Sequence, residues 1–308
     1  MMHASVYLPL LIAGLFGLTA PRLALRLPPA AATWLLSVGG LIAAAGAAAS
    51  LTLLGFTLVA QAQPLAESGH WSITALRHED PVLAPVAAAS IVAVLVLAVR
   101  FITAGVRRAC ALLAAHRLAS GLPPVGQELA VLDDPAPRAF AVPGRPGRIA
   151  MSTGLLRMLR RDQRRAVLAH ERSHLSHRHH LHQTAAVLAA AANPLLYRLP
   201  AAVALSVERW ADEDAAVTCD RRSVVEALTG IATDTGAPRR SGVILAAGAN
   251  DVQRRVRALQ APVARLSIWR VALLVGLLVV AVVAVREAAQ DTERLFELAQ
   301  AAYRSAHR

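Results

Sequence analysis

The sequence has few charged residues, no lysine and little cysteine. Charged residues make up 17% of the 308 residues, hydrophobic residues make up 56%, and the mean hydropathy is +0.47. Because soluble domains contain about a quarter charged residues, this composition indicates a membrane protein. The two cysteines, Cys110 and Cys219, are too few for a disulfide framework and lack the spacing of a metal site.

The basic residues are all arginine, and the formal net charge is +12. Such an excess is typical of nucleic-acid-binding proteins, but no signature of a nucleic-acid-binding fold accompanies it. In a membrane protein, arginines gather instead in the loops on the cytoplasmic side. We therefore expect no direct nucleic-acid binding, and we expect the lipid bilayer to be the first partner of the chain.

Four apolar runs are long enough to cross a bilayer, which takes about 20 residues of helix. Since lipid cannot hydrogen-bond to open backbone groups, each run is predicted to be a helix. The first run lacks a basic start and an A-x-A-like end, so it is interpreted as a span rather than a cleaved signal peptide. The predicted spans are residues 5–21, 31–60, 82–104 and 268–286.

Arginines in the short loops indicate the orientation. The loops after the first and third spans are rich in arginine, whereas residues 61–80 hold Arg77 against three acidic residues. By the positive-inside rule, the N-terminus lies outside a cell (plasma) membrane that the chain crosses several times. The expected domains are residues 1–104 with three transmembrane helices, a cytoplasmic domain at 105–267, the fourth helix at 268–286 and a short extracytoplasmic tail at 287–308.

The predicted cytoplasmic domain changes its hydrophobic period along the chain. The segments "AFAV" and "RIAM" flank the turn signal "PGRPG", which predicts a β-hairpin. A helical pattern follows, in which Ser152 or Thr153 caps one helix and Asp162 opens the next. The predicted fold class is therefore a mainly α membrane protein with four transmembrane helices and a cytoplasmic α+β domain that carries a small β-hairpin or sheet.

The stretch "AVLAHERSHLSHRHHLH", residues 166–182, contains six histidines. Within it, His170, Glu171 and His174 spell His-Glu-x-x-His. On a helix, positions i and i+4 share a face, so both imidazoles can reach one metal ion. Glu171 lies beside that ion, where it can take a proton from water. An exposed polar helix is the structural alternative.

A catalytic zinc site needs a third protein ligand, for which there are two candidates. His180 has the metzincin spacing, but that pattern requires glycine where this chain has His177, and a continued helix would turn His180 away. Glu208 belongs to a Glu-x-x-Ala-Asp motif, in which Glu208 and Asp212 share a helix face. We expect Glu208 to complete the ligand set and Asp212 to accept a hydrogen bond from a ligand histidine.

Other segments receive structural interpretations. His177 is interpreted as a helix-face histidine, and residues 179, 180 and 182 as solvent-facing or membrane-surface histidines. The apolar residues 184–207 are expected to form two packed or membrane-apposed helical pieces, because ligands on either side of them must meet at one ion. Residues 231–250 are expected to be a mobile connection, and residues 251–266 a basic helix that faces anionic lipid.

Three stretches carry a family resemblance: "RAFAVPGRPGRIAMSTGLL", "AVLAHERSHL" and "ERWADEDAA". They resemble the BlaR/MecR-type membrane zinc metallopeptidases, which are gluzincins. The resemblance implies a cytoplasmic gluzincin-like protease domain, one Zn²⁺ held by His170, His174 and Glu208, and Glu171 as the catalytic residue. Family members with a penicillin-binding sensor domain respond to β-lactams, and this chain lacks that domain.

The resemblance also implies a function, with two alternatives. The shorter relatives are antirepressor-like, so the implied role is a zinc-dependent endopeptidase that signals by cleaving a protein or peptide substrate, a winged-helix transcriptional repressor (BlaI-like). HtpX-like quality-control proteases share the motif pair and provide a second interpretation. The third interpretation is a catalytically silent membrane sensor or scaffold, against which the intact Glu171 argues.

Overall fold

The structure is a computed structural model that describes residues 5–80, 82–121, 124–125, 128–144, 147–234, 242–262 and 265–307. Most of the described chain is helical. The helices are α1 (Leu8–Arg26), α2 (Pro29–Val59), α3 (Gln63–Gly69), α4 (Ile73–Glu79), α5 (Ala84–Gly121), α6 (Thr153–Met158), α7 (Arg161–Ser176), α8 (His179–Ala192), α9 (Leu199–Thr218), α10 (Arg221–Asp234), α11 (Gly242–Gln260) and α12 (Ile268–Ala306).

Helices α1, α2, α5 and α12 are long and apolar enough to cross a membrane. The predicted fold class, mainly helical with four candidate spans and a small sheet, is therefore confirmed. Leu27 and Pro28 separate α1 from α2, and Leu27 is extended because the following proline disfavours a helical residue at that position. At 1.5 Å per residue, α12 is about 58 Å long and extends well beyond a hydrocarbon core of about 30 Å.

A small mixed sheet follows α5. Its described strands are β1 (Pro124–Val125), β2 (Leu129–Leu132), β3 (Ala139–Val142) and β4 (Arg148–Ser152), in the order β1-β2-β4-β3. The predicted hairpin is the antiparallel β3–β4 pair, while β2 and β4 are parallel. Ser152 ends the sheet and caps α6, since its hydroxyl accepts a hydrogen bond from the backbone N–H of Leu155 at 3.1 Å. Strand β3 lies at the edge of the sheet.

The apolar residues 184–207 form a helical hairpin that is inserted among the membrane helices. Helix α8, a 3₁₀ turn at Pro194–Leu196 and α9 pack on α1 and α2 in one buried apolar cluster. The turn lies directly against α1 at Gly17, where a Cβ atom would stand 2.1 Å from the backbone oxygen of Leu195. The interpretation as two packed helical pieces agrees with this arrangement, and the turn lies beside the middle of the candidate span α1.

The opposite end of α2 carries a second group of contacts. Here α3 and α4 pack on the last turns of α12, where the backbone N–H of Ser72 donates to the carbonyl of Ala299 at 3.0 Å. The Trp71 indole donates to the carbonyl of Ala60 at 2.9 Å, and its ring packs edge-on against Phe296. Residues 61–80 and the end of α12 therefore share one end of the helix bundle.

Candidate metal centre

Two helices bring the predicted ligands together. Helix α7 presents His170, Glu171 and His174, and α9 presents Glu208 and Asp212. Asp214 on α9 connects the two helices, because its Oδ2 accepts a hydrogen bond from the Ser173 hydroxyl on α7 at 2.6 Å. The sequence spacing places the ligands on each helix, but only the packing of α7 on α9 sets the distance between them.

The three predicted ligands form one cluster. The Nε2 atoms of His170 and His174 are 3.1 Å apart, and the Glu208 carboxylate oxygens lie 3.4 Å from His170 and 3.5 Å from His174. Ligand atoms 2.0–2.1 Å from a tetrahedral ion are about 3.3 Å from one another. Two imidazole nitrogens and a carboxylate at this spacing fit zinc. Among the described residues, these three form a group whose ligand atoms lie close enough together to hold one metal ion.

Asp212 lies behind His170. Its Oδ1 is 3.0 Å from His170 Nδ1, so the ring nitrogen that faces away from the ligand cluster has a carboxylate partner. Burial opposes protonation of His170, but the hydrogen bonds to Asp212 and Glu208 outweigh burial and raise the pKa of His170 to about 9. Burial likewise opposes ionisation of Glu208, and the hydrogen bond to His170 and the charge of Arg255 overcome it, which lowers the pKa of Glu208 to about 2.

Glu171 lies beside the cluster in a cavity of about 190 Å³. Only 9% of the residue is exposed, and burial raises the pKa of its carboxyl group above the ordinary value. The backbone N–H of Ala141 in β3 donates a hydrogen bond to Glu171. The cavity is also bounded by apolar side chains, namely Ala139, Val167, Val224, Ala227, Leu228 and Ile231.

Arg255 is a site residue that was not predicted from the sequence. Its guanidinium donates to both oxygens of Asp212 at 2.7 and 2.8 Å and lies 3.0 Å from Glu208 Oε2. The expectation of a basic helix facing lipid was therefore wrong for Arg255, which points into the site from α11. Residues 242–250, expected to be mobile, belong to this helix, and residues 235–241 of the same expectation lie outside the described residues. No motif marks Arg255 among the arginines of α11.

The histidines after His174 also differ from expectation. Helix α7 ends at Ser176, and Arg178 adopts a left-handed backbone conformation (φ 50°), so the helix does not continue to His180. The turn directs His179 at the site, and its Nδ1 lies 3.0 Å from His174 Nδ1. His179 is 1% exposed and His182 7% exposed, so the expectation that both face solvent or the membrane surface was wrong.

His174 has a less polar environment than His170. Burial lowers the pKa of His174 to about 4, and burial together with the neighbouring histidines lowers the pKa of His179 to about 3. His177 stacks on Trp210 with 4.3 Å between ring centroids, and its Nε2 lies 3.0 Å from Asp214. His177 is therefore partnered by α9 rather than by the ligand cluster.

A model of peptidase family M48 matches residues 103–232, which span the sheet, α6 to α9 and the ligand cluster. No curated protein and no solved structure matches the chain. These comparisons carry no support for the narrower BlaR/MecR-type resemblance. The domain that brings the three ligands together therefore matches peptidase family M48, and the chain that carries it is a multi-pass membrane zinc metallopeptidase.

Proposed function

We propose that this chain is an endopeptidase in which Glu171 is the general base and Asp212 holds the ligand His170. The supporting observation is the position of the Glu171 carboxyl group, buried beside His170 and Glu208 at the wall of the same cavity. Zinc in such a ligand set supplies a Lewis acid that polarises the scissile carbonyl and lowers the pKa of water. Glu171 takes the proton of the attacking water and transfers it to the leaving amine.

The edge strand β3 provides a place for the substrate backbone. The backbone N–H of Ser152 donates to the carbonyl of Arg138, and the paired residues continue as Phe140 with Ala150. Because alternate residues of an antiparallel strand face its partner, the backbone groups of Ala139 and Ala141 face outward. The N–H of Ala141 donates to Glu171, so this edge borders the catalytic cavity, and its other outward backbone groups can pair with an extended peptide.

The proposed orientation places the peptidase domain in the cytoplasm. Arginines cluster at the end of the bundle where α1 meets α2 and α12 begins, and Arg270 donates there to the carbonyl of Arg26 at 3.4 Å. The other end carries Glu67, Glu79 and Asp80. This asymmetry supports an extracytoplasmic N-terminus and an extracytoplasmic end of α12, with the domain bounds expected above.

The proposed role is signalling by cleavage of a cytoplasmic winged-helix repressor (BlaI-like). Support comes from the resemblance of the motif stretches to the antirepressor-like peptidases and from a catalytic cavity at the arginine-rich end of the bundle. An HtpX-like quality-control protease would use the same residues on many damaged membrane proteins. The two roles differ in the number of proteins that the enzyme cleaves.

The test is a comparison of cells that carry the parent protein or Glu171→Gln. The amide cannot accept the proton, so we expect peptide cleavage to fall by at least a hundredfold while zinc content stays unchanged. Proteomics of these cells should then show one stabilised repressor. Stabilisation of many membrane proteins would favour quality control instead.

Glu128→Gln is the matched control, because it removes a carboxylate that is half exposed and paired with Arg172 outside the cavity. We expect this variant to keep the parent activity. If purified Glu171→Gln protein cleaved as well as the parent, the assignment of the general base would be wrong.

A further inference from the structure

A second cavity, of about 280 Å³, lies next to α11 outside the metal centre. Three residues of α11 line it at positions i, i+3 and i+4, which share one face of a helix, and a fourth lining residue follows directly after the end of α11. They are Arg254, Arg257, Ala258 and Ala261. Arg255 lies on the neighbouring face and reaches Glu208 and Asp212, so one helix borders both the cavity and the metal centre.

The cavity carries an excess of positive charge. Arg209, Arg254 and Arg257 line it together with Glu213 as the acidic residue. Glu213 is already paired, because both of its oxygens accept hydrogen bonds from Arg221 at 2.8 and 3.3 Å. Arg254 forms only a weak pair with Asp251, at 3.7 Å with both side chains more than half exposed.

Arg209 supplies a fixed donor at this cavity. The residue is 8% exposed, and its Nη1 donates to the carbonyl of Ala24 near the end of α1. Its Nε is buried and has no hydrogen-bond partner among the residues that the structure describes. A buried donor without a partner is unfavourable, so an acceptor that reached this nitrogen from the cavity would be bound favourably.

The cavity lies where the headgroups of a bilayer would be. Its wall includes Leu25 in the last turn of α1 and Pro29 at the start of α2, and α12 begins nearby, where Arg270 contacts Arg26. Guanidinium groups bind phosphate oxygens in a bidentate manner. Basic pockets between membrane helices on the cytoplasmic side bind anionic headgroups.

We propose that this cavity binds the phosphate group of an anionic phospholipid, with Arg209 as the buried donor and Arg254 and Arg257 as the outer clamp. The headgroup would thereby hold α11, which carries Arg255, at the membrane surface. A zwitterionic phospholipid binds less well, because its quaternary ammonium group is repelled by the same arginines. The binding does not depend on the proposed substrate.

The test is native mass spectrometry of the purified full-length protein in detergent, titrated with phosphatidylglycerol, phosphatidylcholine or inorganic phosphate. We expect one phosphatidylglycerol to bind before any phosphatidylcholine, and added salt to weaken it. The double variant Arg254→Gln/Arg257→Gln should lose about thirtyfold in affinity for phosphatidylglycerol. Unchanged zinc content shows that the variant is folded.

The matched control is Arg107→Gln/Arg108→Gln, which removes two positive charges from α5 at positions that do not line the cavity. We expect this variant to bind phosphatidylglycerol like the parent. Equal losses in the two double variants, or equal binding of the two lipids by the parent, would overturn the proposal. Displacement of phosphatidylglycerol by an equal concentration of inorganic phosphate would show a site for free phosphate and overturn the assignment to lipid.

Discussion

His170 and His174 differ in the side chain that faces the Nδ1 atom of each ring. His170 Nδ1 faces the carboxylate of Asp212, whereas His174 Nδ1 faces the ring of His179 at 3.0 Å. A histidine that binds metal through Nε2 carries its proton on Nδ1 and donates it to a neighbour. His179 is therefore the acceptor, its own proton lies on Nε2, and that buried atom has no partner among the described residues.

We predict that His179→Ala weakens zinc binding by at least tenfold. The ring of His174 loses the acceptor that fixes its orientation, and losses of such partners typically cost 10- to 100-fold in metal affinity. His179→Asn, whose side-chain oxygen can accept the same hydrogen bond, should restore part of the affinity. The measurement is competition for zinc between the protein and a chelator of known affinity.

His180→Ala is the control for this prediction, because it removes the adjacent imidazole, which lines a groove outside the catalytic cavity. We expect His180→Ala to bind zinc like the parent. Equal losses in both variants would mean that the turn as a whole, and not the hydrogen bond from His174, supports the ligand.

At the scale of the elements, the inserted hairpin connects the metal centre to the membrane helices. Helix α8 begins at His179 and carries His182, whose Nδ1 lies 2.8 Å from the Ser37 hydroxyl on α2. Trp34 packs edge-on against the His182 ring, with 4.5 Å between ring centroids. One turn of α8, from His179 to His182, therefore connects the metal centre to α2. Displacement of the hairpin would disturb the metal centre.

We predict that Gly17→Ala destabilises the protein, by about 1–3 kcal/mol, because the new Cβ would meet the backbone oxygen of Leu195 at 2.1 Å. The backbone of the 3₁₀ turn cannot move aside without moving α8 and α9. We therefore also expect faster loss of zinc to a chelator. Thermal unfolding in detergent and zinc release kinetics measure the two effects.

Gly14→Ala provides the matched control on the same helix. Its Cβ would meet a Leu195 methyl group at 3.8 Å, which is an ordinary contact, and alanine stabilises a helix by roughly 0.5–1 kcal/mol relative to glycine. We expect a melting temperature equal to or above that of the parent. A Gly17→Ala protein with the same melting temperature as Gly14→Ala would show that the hairpin turn does not pack tightly against α1.

At the scale of the whole molecule, α2 separates two polar ends. The peptidase domain packs near its first turns through the Ser37 contact, and residues 61–80 with the end of α12 lie beyond its last turn. One end of the helix bundle thus carries the metal centre, and at the other end the described residues form only helical connections. The proposed orientation assigns the first end to the cytoplasm.

We predict that a membrane-impermeant maleimide labels Ser68→Cys in intact cells but labels Cys110 only after permeabilisation. Ser68 is exposed in α3, and Cys110 is exposed in α5 beyond the predicted third span. Both proteins carry Cys219→Ser, and the Ser68→Cys protein also carries Cys110→Ser. The reverse labelling pattern would invert the orientation and exclude a cytoplasmic substrate.

The sequence by itself determined the spans and the ligands of the metal centre. Apolar runs of about 20 residues must be helical in lipid, and the i, i+4 spacing of His170 and His174 places both on one helix face. These features are local, since each depends on residues a few positions apart. The edge hairpin was predictable for the same reason, because its turn signal lies between two short apolar segments.

Asp212 was predicted as a partner of a ligand histidine, but only the tertiary structure decided the partners Arg255 and His179. Arg255 lies 43 positions from Asp212, and nothing in a helix rich in arginine distinguishes it. His179 reaches His174 because Arg178 turns the chain in a left-handed conformation, which residues other than glycine adopt rarely and which the sequence did not indicate. Contacts between distant segments depend on how α7, α9 and α11 pack, and periodicity within one helix carries no information about that packing.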